Sequence, residues 1–433
     1  MSGDLSPQHP TYPKALQDAG YRTMAAGKMH WFQGWHWNVP RFHGHDLVAL
    51  NETIRQAFGW DELWEACGKS LLNYNHCHYA QHLKDHGLFE RLVNVKPTPT
   101  EKGETAELGW PVYPSPLPEE HYVDRVIADQ ALDQLERAAQ NEEPFFLFCS
   151  FCGPHFPFDP PARYLESEPY FEADDWPVGP RAVTPEQKRH VWRLRQSYRA
   201  MVRLVDDQVG RIFRRLEELK LMDDTVILFS ADHGDLLYER GPIGKCYPYR
   251  PSAEIPLAIR DPRHLDSRRN ATPVNLLDLT ATILDLAGLD PQKALSKPWP
   301  QHNDRVPARS LLPIVRGEAA RVREFTYGEH HEWELGWRML RSDRYTYARY
   351  IPTLRPHDQG QFVEAVLGDR LARTDYEPIE ELFDLEADPG EMTNLAGRPE
   401  AAEILQWHRN RLQVELDTTP AAQTGWLPII SGK

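Results

Sequence analysis

A chain of 433 residues with 41% hydrophobic and 26% charged residues has an ordinary globular composition, and it is longer than the roughly 250–300 residues at which a single core stops growing. The formal net charge of −15 argues against nucleic acid as the main partner and against adhesion to an acidic membrane surface. It leaves room for an anionic substrate, because a few lysines in one cleft reverse the local potential. No apolar run reaches the ~18 residues of a membrane-spanning helix, and the opening Met-Ser-Gly-Asp-Leu-Ser-Pro-Gln-His-Pro has neither the basic region nor the apolar core of a signal peptide.

Residues 10–20 predict a short helix closed by Gly20, followed by a strand from Tyr21 to Ala26 that runs into Gly27-Lys28-Met29-His30. Between about 32 and 118 many Trp, His and Pro residues occur without sustained periodicity. This suggests long loops over a scaffold, with aromatic residues placed to line a pocket. Glu119 to Gln140 carries Val123, Ile127, Ala131 and Leu135 at helical spacing. The strand Phe145–Phe151 then ends in Cys152-Gly153-Pro154-His155-Phe156-Pro157. Cys149 and Cys152 form the lone C-x-x-C among five cysteines, and in this apolar run they read as small buried thiols rather than a redox pair. A reducing, cytoplasmic setting is the corresponding expectation.

A long helix over 184–220 leads into the apolar run Thr225–Ser230, read as a buried strand that stops at Ala231-Asp232-His233-Gly234-Asp235. The turn-rich Gly241-Pro242-Ile243-Gly244-Lys245 follows, then a strand over Glu254–Arg260 and a helix over Val274–Ala287. This alternation predicts an α/β fold with a mainly parallel central sheet flanked by helices. A proline- and charge-rich stretch at 290–309 reads as a linker or surface loop. After it, short antiparallel strands at 324–327, 336–340 and 345–350 and a helix at 400–416 predict a smaller α+β unit, residues 320–433, beside a larger domain, residues 1–319.

Strand ends and one loop thus supply Lys28, His30, His155, Asp232, His233 and Lys245. Asp232 and His233 are adjacent oxygen and nitrogen donors for a divalent metal. The lysines can offset charge on a tetrahedral oxyanion ester, and a histidine can protonate its leaving oxygen.

Five segments carry a family resemblance: Gly20-Tyr21-Arg22-Thr23 with Gly27-Lys28-Met29-His30, Gly153-Pro154-His155-Phe156-Pro157, Ser230-Ala231-Asp232-His233-Gly234-Asp235, Gly244-Lys245, and Leu382-Phe383-Asp384-Leu385-Glu386-Ala387-Asp388-Pro389-Gly390-Glu391 with Asn394-Leu395. In this order they resemble the successive signatures of the type I sulfatases, of the alkaline phosphatase superfamily. The resemblance implies metal-dependent hydrolysis of a small-molecule sulfuric ester, with an alkaline-phosphatase-like fold. A phosphonate monoester or phosphodiester hydrolase of the same superfamily is the nearest alternative. It implies Asp232 and His233 as metal ligands, with Ca²⁺ placed first and Mn²⁺ or Zn²⁺ as alternatives. His at the second position resembles the phosphonate-hydrolase branch. Lys28 and Lys245 would hold sulfate oxygens, His30 would support the nucleophile or the transferred group, and His155 would serve the leaving group. No nucleic acid or membrane partner is implied, and self-association into a homo-oligomer is left open.

The pattern departs from the family in one respect. Relatives carry, before the Gly-Tyr-Arg-Thr region, a strand ending in paired Asp residues and a Cys-x-Pro-Ser-Arg or Ser-variant nucleophile motif; the nineteen residues before Gly20 contain neither. Three readings follow: an N-terminally truncated or mis-started reading frame, which is favoured, a half that completes its site with another chain, or a catalytically inactive binding protein. Loss of that strand would leave an apolar slot in the sheet. Cys246-Tyr247-Pro248-Tyr249-Arg250 fits Cys-x-Pro-x-Arg, but it leads towards a strand and follows Gly-Lys, so Cys246 is not assigned as nucleophile.

Overall fold

The computed structural model describes residues 9–30, 45–72, 75–95, 112–172, 184–240, 243–295, 307–330, 335–352 and 379–418. The chain forms two compact units, Met1–Asp175 with Ala182–Thr225, and Trp176–Arg181 with Val226–Lys433. Parts of the aromatic loops (31–44, 96–111) and of the 290–309 stretch (296–306) lie outside the described residues.

In the first unit, helix α1 (Tyr12–Asp18) starts where the Thr11 hydroxyl accepts the Lys14 N–H and ends before Gly20, whose φ of 89° closes the turn. Strand β1 (Arg22–Gly27) follows, with Thr23 through Gly27 buried. The predicted loop region is more ordered than its pattern suggests. It contains helix α2 (Asn51–Phe58), strand β2 (Glu62–Glu65) and helix α3 (His78–Asp85). Elements of four to eight residues are too short to impose a visible period, and β2 reads Glu-Leu-Trp-Glu because one of its acids, Glu65, points inward.

Helix α4 (Val123–Ala138) and strand β3 (Phe145–Ser150) complete the layer. The sheet order is β2-β1-β3, all parallel, with Gly27 opposite both Glu65 and Ser150. Val123, Val126, Ile127, Ala131 and Leu135 face the core, and the Gln134 amide donates to Ala25 O at 3.0 Å, pinning α4 to β1. Helix α5 (Pro185–Glu218) begins with a reciprocal Thr184–Gln187 capping box and runs for 34 residues, about 50 Å. It is riveted to α4 by Arg211–Asp129 and Arg215–Glu136 pairs.

In the second unit, strand β4 (Ile227–Ser230) pairs with β5 (Leu257–Arg260) antiparallel rather than parallel. Among the described residues the connection between them holds the four-residue helix α6 (Arg250–Ala253) and no crossover helix of the kind that returns a chain in the same direction. Helix α7 (Leu276–Leu286) opens with an Asn275–Asp278 capping box. A four-stranded antiparallel sheet then runs in the order β6 (Phe325–His330), β7 (Leu335–Ser342), β8 (Tyr345–Pro352) and β9 (Glu380–Asp384). Helix α8 (Ala402–Thr418) covers it through Leu405 and Leu412, which pack with Leu340, Tyr347 and Leu382.

β3 and β4 are less buried than their apolar runs predict. Among the described residues each pairs on one side only. Phe148 is 36% and Phe229 41% exposed as a result.

Candidate active site

The first unit presents Lys28, His30 and His155 at the carboxyl ends of adjacent strands. Gly27 has a φ of 119°, and a Cβ on it would lie 1.8 Å from Ser150 O, so no side chain is tolerated there. The Lys28 N–H donates to the same Ser150 O at 2.9 Å, which carries the β1–β3 ladder one residue past the strand and aims Lys28 from its end. Lys28 is half-buried, and its charge reaches the Cys152 thiol, which burial and Asp124 push upward while Lys28 and Lys69 oppose. Cys149 is likewise raised by burial, to about 12. None of the five cysteines is in a disulfide. His30 takes a left-handed φ of 53° and is exposed. Its Nε2 lies against Gly68, where a Cβ would come within 3.6 Å.

His155 follows β3 in a turn whose Gly153–Pro154 and Phe156–Pro157 peptides are cis. Its Nδ1–H donates to Phe156 O at 2.8 Å, which leaves the lone pair on Nε2. The turn is organised by a residue that the sequence pattern does not single out. Asp124, fully buried on α4, accepts the Cys152 N–H at 2.6 Å and the Gly153 N–H at 3.0 Å. Burial raises its pKa, while the Gly153 amide and Lys69 pull the other way. Lys69 is a second such residue. With its side chain 5% exposed, it meets Asp159, Pro157 O and the Tyr122 hydroxyl just beyond His155. These groups line a cavity of about 230 Å³ that also takes in Leu72, Tyr79 and Tyr113.

The second unit brings Asp232, His233 and Lys245 together. The His233 Nδ1–H donates to Gly234 O at 2.8 Å, so Nε2 carries the lone pair. That nitrogen lies 3.5 Å from Asp232 Oδ2 and 2.9 Å from Lys245 Nζ, the ammonium donating to it. Asp232 also accepts the His233 N–H at 3.0 Å through Oδ1, and its side chain is 63% exposed. Gly234 is required because a Cβ would sit 2.0 Å from Pro251 O. Asp235, quoted in the motif without a role, joins the two loops: its Oδ1 accepts Leu237 N–H and Gly244 N–H, both at 2.9 Å. Desolvation raises its pKa against those two bonds and the Lys245 charge.

This donor set suits a divalent cation. Two ligand atoms about 2.1 Å from one ion lie roughly 3.0–3.4 Å apart, close to the Asp232–His233 spacing of 3.5 Å. The fixed tautomer also leaves the His233 ligand atom unprotonated. Cys246 has a φ of 76°, and its carbonyl accepts the Trp337 indole N–H at 2.8 Å. The Cys246–Arg250 segment does meet a helix, since Arg250 opens the single turn of α6, before the chain reaches β5.

The Leu382–Glu391 segment proves to be a clamp. Glu391, fully buried, accepts the Arg250 N–H at 2.6 Å and pairs with Arg341 at 2.8 Å, and Asp388 accepts the Thr393 N–H. No described helix is long and apolar enough to cross a membrane.

Comparison with known proteins places these features. The profile of the family described as Sulfatase matches residues 2–289. A choline-sulfatase of Rhizobium meliloti (strain 1021) is 29% identical over 90% of this chain and 68% of its own length. An arylsulfatase of Clostridium perfringens is 24% identical over 98% of this chain and 81% of its own. Among solved structures, the phosphonate monoester hydrolase SpPMH from Silicibacter pomeroyi matches with a TM-score of 0.67 at 21% identity, covering 98% of this chain and 83% of that one. The fold is thus that of the alkaline-phosphatase-like sulfatases and phosphonate hydrolases.

Proposed function

We propose, from the premise that this chain belongs to the sulfatase family of metal-dependent hydrolases, that its residues bind and hydrolyse a small-molecule sulfuric ester. The observation that carries this reading is the half-site at the end of β4: an imidazole locked with Nε2 outward, a carboxylate 3.5 Å from it and an ammonium 2.9 Å from it. Asp232 and His233 are the metal ligands. A bound divalent ion would polarise the ester and orient the nucleophile. The imidazole in the pair favours Mn²⁺ or Zn²⁺ over Ca²⁺, which prefers an all-oxygen set.

Lys28 at the end of β1 and Lys245 beside His233 each carry an ammonium suited to offsetting the negative charge of sulfate oxygens. A metal held by His233 Nε2 would occupy the lone pair that accepts from Lys245, and that ammonium would then be available to an ester oxygen. His155, with Nδ1–H committed to Phe156 O, would act as the leaving-group acid in its imidazolium form, giving up the second proton, held on Nε2, to the leaving oxygen and returning to the neutral ring. His30 supports the transferred group. The nucleophile is assigned to none of the 433 residues, so the roles of these side chains are binding, orientation and proton transfer.

The test is turnover of an aryl sulfate and an aryl phosphonate monoester by the full chain with Ca²⁺, Mn²⁺ or Zn²⁺, alongside its metal content. Turnover of the sulfate in preference to the phosphonate is expected, with one equivalent of metal lost in Asp232→Asn and in His233→Ala. The reverse preference assigns the chain to phosphonate hydrolysis. Absence of both turnover and bound metal in the unaltered chain overturns the proposal.

A further inference from the structure

Outside the residues assigned to ester hydrolysis, three imidazoles meet on the first unit. His82 and His86 lie one turn apart at the end of α3, and His121 ends the 3₁₀ turn Glu119–His121 that leads into α4. His82 Nε2 is 3.0 Å from His121 Nδ1. The ring centroids of His86 lie 4.4 Å from His82 and 4.5 Å from His121. One nitrogen from each ring falls within 4.8 Å of the other two.

We propose that His82, His86 and His121 form a binding site for one borderline transition cation of the Zn²⁺ class, separate from the metal half-site at Asp232 and His233. Three features prepare it. The His86 Nδ1–H donates to His82 O at 2.7 Å, which leaves Nε2 as the ligand atom; this is the supporting bond that metal-bound histidines usually make. The buried Tyr79 hydroxyl donates to His121 O at 2.9 Å, and its ring stacks on His82 at 15°, so one side chain holds both the His82 ring and the His121 backbone. His82 Nε2 and His121 Nδ1 already face each other across 3.0 Å, so one ion could take both as ligands. Two nitrogens on a tetrahedral zinc at 2.0–2.1 Å lie about 3.3 Å apart, so the His82–His121 pair needs to open by only a few tenths of an ångström. His86 is exposed, which leaves the fourth position to water.

All three ligands are imidazoles, so Ni²⁺ and Cu²⁺ should bind as well, whereas Ca²⁺ and Mg²⁺ should not. The bound ion would tie the end of α3 to the start of α4.

Zn²⁺ binding to the metal-stripped, tag-free full chain tests this by calorimetry, with Co²⁺ as a visible-absorption probe. One equivalent should persist in His233→Ala and disappear in His86→Ala. Loss of a supporting hydrogen-bond partner typically weakens a metal by about 10–100-fold, so loss of the His86 ligand should exceed that. His121→Ala should do the same, and His86, being exposed, serves even if His121→Ala fails to fold. The intense bands of low-coordinate Co²⁺ should vanish with the same variants. Unchanged stoichiometry and spectrum in His86→Ala overturn the site, whatever the outcome of the esterase assays.

Discussion

Asp124, itself fully buried, accepts two backbone N–H groups, and Asp235 accepts two more at the other strand end. Each carboxylate fixes a turn from which a site histidine projects. Asp124→Ala leaves the Cys152 and Gly153 amides unpaired, at about 1–3 kcal/mol each. Denaturant unfolding should show a loss of that order, and turnover should fall even in protein that remains folded. Gly153→Ala tests the same contact from the other partner, because its Cβ would meet Asp124 Oδ2 at 2.6 Å. Overpacking of this kind costs about 1–3 kcal/mol, and the loss should shrink in Asp124→Ala/Gly153→Ala compared with the sum of the single variants. Asp124 is illegible in the sequence because it follows Val123 in an amphipathic helix, where a polar residue reads as solvent-facing. Lys28, His155, Asp232, His233 and Lys245 are legible because glycine and apolar runs place them at strand ends. Asp124 and Lys69, which organise the turn around His155, come from a helix and a 3₁₀ turn distant in sequence, and no spacing announces those.

At the scale of elements, β1, β3, β4 and the long helices follow from their apolar patterns, whereas β2 and β9 do not. β9 hides in Glu380–Asp384, where three of the five residues are acids and one of them, Glu381, is buried and receives the Tyr350 hydroxyl at 2.8 Å. β2 hides for a similar reason. Its inward Glu65 is 2% exposed, and Oε2 has no hydrogen-bond partner among the described residues. Burial, with a smaller contribution from Cys77, raises its pKa to about 8. The folded protein therefore keeps this proton while the unfolded chain has already lost it. Stability from Glu65 is complete below the ordinary value of 4.5, declines between 4.5 and about 8, and is spent above. Glu65→Gln should raise the melting temperature relative to the unaltered protein more at pH 8.5 than at pH 5, by at least about 2–4 °C, the equivalent of about 1 kcal/mol. In the second unit Glu391 ties the β9 clamp to α6 and β7. Glu391→Ala leaves Arg341 with Glu254 and Thr346 but takes the acceptor from the Arg250 N–H, so a loss of about 1–3 kcal/mol is expected in chemical denaturation.

For the molecule as a whole, metal binding and folding are linked. A ligand at a hundred times its dissociation constant adds about 2.7 kcal/mol to the stability of the state that binds it. Excess Mn²⁺ should therefore raise the melting temperature of the unaltered chain, and the rise should be absent in Asp232→Asn. A thermal shift of the same size in that variant would move the ion elsewhere.

The parallel pairing of β1 with β3 also has a kinetic side. The register from Arg22 opposite Phe145 to Gly27 opposite Ser150 joins segments roughly 120 residues apart in the chain. Such contacts are reached late, because the intervening chain must be ordered before they reward it. Gly27 admits no side chain only once Ser150 has arrived, and the Lys28 amide finds its acceptor in the same event. Lys28 and His155 therefore take up their places together, in one late docking step, and a half-folded first unit would hold neither.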